Sequence, residues 1–314
     1  MYTKRPGKWV KRIVGLLVCL NLVMALYLSM SYSFVSVVKE EDNSGYIKAT
    51  TKMRIEEGTN DGINSNDPAY SPRSPRVLCW VPSFPDSLHK AWAVNNTWGE
   101  RCDKFLIFSS TDNNTYGAIG LNVSDKYSVL VLKVRAAMTY IYENHFNDFD
   151  WFMKADDDTF VLVDNLRYFL KDKNSSEPVM YGHHFVPYLP GGYLSGGAGY
   201  VISKEALRRY AEEGLHSTCR MIENAEEDIE TANCLSKLGV KIGDSRDSTG
   251  RSRFHCFAPV HAILGWFPDW YNEYDKYNAT YGLDQISDRP ISFHKIRWSQ
   301  MFGLDLMLYH VAKH

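Results

Sequence analysis

The chain has 314 residues, 45% hydrophobic and 14% aromatic, with 35 basic against 37 acidic side chains. That much apolar surface excludes disorder of the whole chain. The near balance of charge excludes an extended basic surface for nucleic acid, which needs clustered Lys and Arg.

The charge is unevenly spread. Lys4, Arg5, Lys8, Lys11 and Arg12 give the first 38 residues +5 with no acid among them, which leaves 30 basic against 37 acidic residues beyond. Ile13 to Met30 carries no charge, and a softer apolar stretch continues to Val38. About 20 apolar residues span a bilayer core. The pattern predicts a cytosolic tail over 1–12 and a single uncleaved transmembrane signal anchor over 13–38. The cationic flank keeps the tail in the cytosol and delivers the body to the lumen, as a type II protein. A cleaved signal peptide would have a shorter apolar region ending in small residues, unlike Tyr27, Leu28 and Met30. Five Asn-x-Ser/Thr sequons, at Asn95, Asn113, Asn122, Asn174 and Asn278, agree with a lumenal body.

Residues 39–75 are polar, with Pro68, Pro72 and Pro75, and read as a flexible stem. The remainder, 76–314, reads as one lumenal α/β catalytic domain. Val77-Leu78-Cys79-Trp80-Val81 is an apolar strand, and Ser87 to Trp98 has helical spacing. Lys104 to Phe108 is a second strand. The apolar run Val129 to Leu132 leads into a helix-like segment through Tyr142, and Asp150 to Ala155 is a third strand. Strands alternating with helices predict a largely parallel sheet. A strand over Thr159–Val163 and a helix over Asp164–Leu170 capped by Asp164 follow, then the strand Tyr200-Val201-Ile202 and a helix capped by Ser203. Outside the anchor, which holds Cys19, there are five cysteines. Local pairing of Cys79 with Cys102 and Cys219 with Cys234 is the simplest arrangement in an oxidising lumen. Cys256 is then left over, either as a buried thiol or as a bridge to a second chain.

Asp156-Asp157-Asp158 follows one apolar strand and precedes another. In parallel α/β sheets ligands collect at the carboxyl ends of strands. Carboxylates two residues apart can grip one hard divalent ion, which holds a diphosphate and neutralises its charge as it leaves. The bland alternative is a solvated acidic turn. Ser195-Gly196-Gly197-Ala198-Gly199-Tyr200 lacks the features of a phosphate loop. Its glycines permit either close approach to a sugar or a plain tight turn. Glu226-Glu227-Asp228 is equally readable as the acidic first turn of a helix.

Taken in order, Cys79-Trp80-Val81, Asn96 to Cys102, Trp151 to Phe160, Ser195 to Tyr200, Glu227-Asp228 and Ser292-Phe293-His294 resemble the fringe-like β1,3-glycosyltransferases. Within them the likeness is to the core 1 galactosyltransferase group of mucin-type O-glycosylation, and it covers about residues 76 to 310. The resemblance implies a GT-A type glycosyltransferase domain with a mostly parallel central sheet. It implies inverting transfer of galactose from UDP-galactose to the 3-hydroxyl of GalNAc α-linked to Ser or Thr of glycoproteins. Mn²⁺, a Golgi type II setting and a homodimer come with it. Carried over by position, Asp156, Asp158 and His294 would hold manganese. Pro82, Lys133, Asp156, His294 and Lys295 would meet the nucleotide, Asp228 would be the general base, and Trp270 would contact the acceptor. Two departures stand beside the histidine: relatives have Cys-Cys where this chain has Gln285-Ile286, and Tyr where it has Lys295. The competing readings are a non-catalytic chaperone-like paralogue, whose known counterpart lacks the acidic triplet, and a β1,3-transferase for another UDP-sugar or acceptor.

Overall fold

A computed structural model describes residues 74–311 apart from 125 and 220–223. The expected tail, anchor and Cys19, with the stem up to residue 73, lie outside the described residues. Among the described residues no helix is long and apolar enough to cross a membrane.

The strands in chain order are β1 (Val77–Pro82), β2 (Lys104–Ser109), β3 (Ala118–Gly120), β4 (Trp151–Lys154), β5 (Phe160–Val161), β6 (Val179–Gly182), β7 (His184–Phe185), β8 (Tyr193–Leu194), β9 (Tyr200–Ser203), β10 (Lys241–Ile242), β11 (Phe254–His255) and β12 (Ser292–Phe293). Seven of them form the central sheet in the order β10-β6-β9-β4-β1-β2-β3. All its neighbours pair in parallel except where β9 runs antiparallel to β4 and β6. The mostly parallel sheet expected from the alternating pattern is therefore present. β1 and β4 are buried along their whole length, as befits strands covered on both faces. Their inward side chains form one core with Trp80, Trp98 and Trp151. Each apolar side chain buried as fully as Leu78, Phe152 or Phe160 contributes roughly 1.5–3 kcal/mol.

The helices are α1 (Leu88–Asn95), α2 (Leu130–His145), α3 (Val163–Leu170), α4 (Lys204–Arg209), α5 (Glu227–Lys237), α6 (Pro259–Leu264), α7 (Trp270–Tyr274) and α8 (Trp298–Asp305). Most of the apolar run at 129–132 is already helical: α2 starts at Leu130 and buries Val131, Val134, Ala137, Met138 and Ile141 at helical spacing. The strand expected over 159–163 is cut to two residues, because Val163 opens α3 and buries itself with Leu166, Phe169 and Leu170. Leu162 takes the capping position without a side-chain cap, so Asp164 is not the cap but a first-turn acid favoured by the helix dipole. Ser203 does cap α4, accepting from the Ala206 N–H at 3.1 Å. Both expected disulfides form, Cys79–Cys102 and Cys219–Cys234, and Cys256 is a buried free thiol.

A second small sheet, β11-β12-β5, decides where the chemistry sits. β12 pairs antiparallel with β5 so that Phe293 faces Phe160, which brings the residue after Phe293 beside the turn before Phe160.

Candidate active site

The acidic triplet forms a tight turn at the carboxyl end of β4, closed by the Thr159 N–H on the Asp156 carbonyl at 3.1 Å. Three elements pin it. The Ala155 N–H donates to the Trp80 carbonyl at 3.1 Å, the Ile296 N–H to the Asp158 carbonyl at 2.9 Å, and the buried Trp98 indole to the Thr159 carbonyl at 2.9 Å. The turn splits its carboxylates. Asp156 and Asp158 face His294, and one ligand atom from each of the three lies within 4.8 Å of the others. Asp157 points away and takes the Ser83 and Ser87 hydroxyls at 3.1 and 3.2 Å. Burial pushes the Asp157 carboxyl up to about 6, against the charge of Lys90 and the Ser83 hydrogen bond. The middle acid is thus an anchor for the end of β1.

His294 is oriented as a ligand needs to be. Its Nδ1 lies 3.2 Å from the Cys256 carbonyl, an acceptor that calls for a proton on Nδ1. That leaves Nε2 facing Asp158 at 3.0 Å and Asp156 at 3.9 Å. Burial would raise the Asp158 carboxyl, but when Nε2 also carries a proton the His294 hydrogen bond and charge, with Lys295 and Lys90, outweigh it and hold Asp158 below its usual range; a cation would take the place of that proton. Gly197 makes room for the ring: a Cβ there would stand 2.2 Å from His294 Cε1. Two carboxylates and one imidazole form a donor set that suits a divalent ion of the Mn²⁺ or Mg²⁺ kind. Gly197 was overlooked as a site residue in the sequence, because a glycine in a turn gives no sign of which ring it faces.

The same glycine loop reaches the other functional acid. Asp228 lies in the first turn of α5; its Oδ2 accepts from the Gly196 N–H at 3.0 Å and its Oδ1 from the Ile229 N–H at 2.9 Å. Burial, then the neighbouring Glu227 charge, pushes the Asp228 carboxyl up to about 6, while the backbone donors and the Lys154 ammonium pull it down. Glu227 is occupied elsewhere, accepting from Tyr200 Oη at 2.7 Å and Thr231 Oγ1 at 3.0 Å, with Lys154 Nζ 3.3 Å away. Lys154 also went unnoticed in the sequence, where it reads as one residue of an apolar strand. Burial would lower its pKa, but the charges of Asp156 and Glu227 outweigh that and raise it, so it stays an ammonium.

Pro82 ends β1, buried, and Lys133 of α2 lies buried behind the turn that follows it. The Lys133 ammonium donates to the Ser83 carbonyl at 2.9 Å and sits 4.0 Å from the centre of the Phe84 ring. Both therefore border one turn, joined through Ser83 to Asp157. Lys295 is exposed next to His294, with a left-handed backbone at φ 61°.

Trp270 opens α7, 42% exposed, with its ring set among Phe185, Phe257 and Tyr274 at centroid distances of 6.0, 6.3 and 5.0 Å. Phe185 in turn meets Tyr193 at 5.5 Å, and the Asp228 charge, after burial, helps hold the Tyr193 hydroxyl above its usual range. An aromatic wall thus runs from Asp228 to Trp270. Tyr193 and Phe185 come from β8 and β7, which carry no sequence signal linking them to the aromatic-rich stretch around Trp270, from Trp266 to Tyr277. Within that stretch Tyr271 is buried core, whereas Trp266 is open to solvent.

The Fringe-like family profile matches residues 89–255. A Xenopus laevis protein, glycoprotein-N-acetylgalactosamine 3-beta-galactosyltransferase 1, is 39% identical over 244 residues, covering 76% of this chain and 68% of its own. A Mus musculus beta-1,3-glucosyltransferase is 29% identical over 206 residues, 64% of this chain and 36% of that one. Among solved structures, the galactosyltransferase LgtC in complex with donor and acceptor sugar analogs is a distant likeness, with a TM-score of 0.41, 10% identity, and coverage of 75% of this chain and 98% of that one.

Proposed function

The chain belongs to the Fringe-like family and is a glycosyltransferase, and from that premise we propose that it is an inverting β1,3-galactosyltransferase of GT-A type. The donor is UDP-galactose, and the acceptor is the 3-hydroxyl of GalNAc α-linked to Ser or Thr of a glycoprotein. The observation that carries the reading is the glycine loop 195–199. Gly197 packs on His294 while the next residue back, Gly196, holds Asp228, so donor-side and acceptor-side groups share one short turn.

In this reading Asp156, Asp158 and His294 hold a divalent cation, Mn²⁺, which when bound neutralises charge on the departing diphosphate. The turn of Pro82, Ser83 and Phe84, backed by Lys133, borders the nucleotide, with Lys295 at its rim. Asp228 does the proton chemistry. Each of its oxygens already accepts one backbone N–H and keeps a further lone pair. One of these takes the proton of the acceptor 3-hydroxyl as that oxygen attacks the anomeric carbon from the face opposite the diphosphate. A single displacement turns an α-linked donor into a β product. A carboxyl raised to about 6 is a stronger base than an ordinary aspartate yet still ionised near neutrality. Glu227 is a poor rival, since its oxygens already face Tyr200, Thr231 and Lys154. Trp270 offers a ring face to the apolar C–H face of the acceptor sugar.

The setting proposed is a Golgi type II membrane protein, anchored through 13–38, with the catalytic body in the lumen and a homodimer as the assembly. Two disulfides in the body suit that oxidising compartment. The intact acidic triplet and histidine favour an enzyme over the chaperone-like reading. A panel of UDP-sugars against GalNAc-peptide, with Mn²⁺ or with EDTA, tests the proposal. Galactose transfer only with the cation is expected. Faster transfer of another sugar would overturn the donor assignment.

A further inference from the structure

One buried side chain touches the frames of both the cation donors and the base. Lys154 closes β4 with its side chain 2% exposed. Its Nζ donates to Asp156 Oδ1 at 2.6 Å and to the Gly196 carbonyl at 3.2 Å, and lies 3.3 Å from Glu227 Oε2. The three partners belong to different parts of the site. Asp156 is a cation donor. Gly196 holds Asp228 through its N–H. Glu227 precedes Asp228 at the start of α5 and is clamped in turn by Tyr200 and Thr231. The register of β4 on β9 sets Lys154 opposite Tyr200, the residue whose hydroxyl donates to Glu227. The fit is close: a Cβ on Gly196 would lie 3.3 Å from Lys154 Nζ and 3.3 Å from Asp228 Cβ.

We propose that Lys154 is a positioning residue whose ammonium fixes the Asp156 carboxylate and the Gly196–Glu227 frame of Asp228 in one register. By occupying Asp156 Oδ1 it leaves Oδ2, the oxygen 3.9 Å from His294 Nε2, to face the cation site. By drawing Glu227 and the Gly196 carbonyl to one point it sets the start of α5 against the glycine loop, and so aims Asp228. The inference rests on the reading of Asp228 as the base.

The test is a double-mutant cycle of Lys154→Met and Glu227→Gln, with Asp228→Asn as reference. The readouts are kcat, KM for the acceptor, thermal midpoint, and UDP affinity by calorimetry with Mn²⁺. Lys154→Met should lower kcat about a hundredfold with little change in acceptor KM, because small misplacement of a catalytic group has that effect. Its Mn²⁺-dependent UDP affinity should fall about tenfold, as for loss of a partner that orients a metal ligand. Glu227→Gln should lower kcat in the same direction, and the double variant should lose no more than the worse single, since Lys154→Met already removes the contact they share. A folded Lys154→Met with wild-type kcat, or losses that simply multiply, would overturn the proposal. If Lys154→Met does not fold because Glu227 is left buried and unpaired, the double variant removes both charges together. Wild-type kcat in that variant and in Glu227→Gln then overturns it equally. Full turnover by Asp228→Asn would instead defeat the base assignment, which is a separate failure.

Discussion

The donor side and the acceptor side of this site are built by opposite rules. On the donor side the cation donors and their turn are tied down: the acidic turn hangs from Trp80, Trp98 and Ile296, His294 from the Cys256 carbonyl, and Asp157 from two serines. On the acceptor side Trp266 and Trp270 are 61% and 42% exposed and sit on a loop and a short helix. The contrast teaches where variation is tolerable. A cation and a diphosphate demand fixed geometry, whereas a ring face under a sugar can shift without losing its function.

That contrast can be broken by substitution, and the largest effect belongs to the residue on the border. Asp228→Asn keeps size and hydrogen bonds but removes basicity, so kcat should fall by about 10² to 10⁴ while UDP affinity stays near wild type. In the wild type, kcat/KM should rise with pH through an acid limb near 6 and level off above it, because the base works only when ionised. A limb that persists unchanged in Asp228→Asn would assign it to another group.

Next in size is a purely steric change on the rigid side. Gly197→Ala drives a methyl into the His294 ring, so Mn²⁺-dependent UDP affinity should fall about 10- to 100-fold by calorimetry. An unchanged affinity would mean that the histidine is not required where it stands. On the open side, Trp270→Ala should raise KM for GalNAc-peptide by about tenfold, the effect of losing roughly 1.4 kcal/mol of ring contact. Donor KM should hold steady; if it moves equally, the two sides are not separate. The smallest change expected is Lys295→Tyr. Acceptor kcat/KM should shift by only a few fold, near the scale of an exposed charge contact, about 1 kcal/mol or less. A shift in UDP affinity instead would move Lys295 from the rim into the donor pocket.

The rigid side was also the side more legible in sequence. Asp156 and Asp158 stand two residues apart in the chain, bounded by apolar strands, and their convergence follows from a tight turn. The parallel sheet was legible from the alternation of apolar strands with helices. Asp164 was misread because a helix can start one residue earlier when Val163 has a core to fill. What could not be read is long-range. His294 was placed with the acids by the resemblance, while no local pattern encodes the two-residue pairing of β12 with β5 that brings it there. Lys154 looks like strand core until Glu227 arrives 73 residues later. Tyr193 and Phe185 join the wall of Trp270 through packing that no local period encodes.

The most direct measurement of the central claim is UDP calorimetry on wild type, Asp158→Asn and Asp228→Asn, each with Mn²⁺ and again with EDTA. The account predicts that EDTA abolishes tight UDP binding in the wild type, that Asp158→Asn binds weakly in both conditions, and that Asp228→Asn binds like the wild type. Equal UDP affinity for the wild type with and without the cation, or loss of binding in Asp228→Asn, would contradict it.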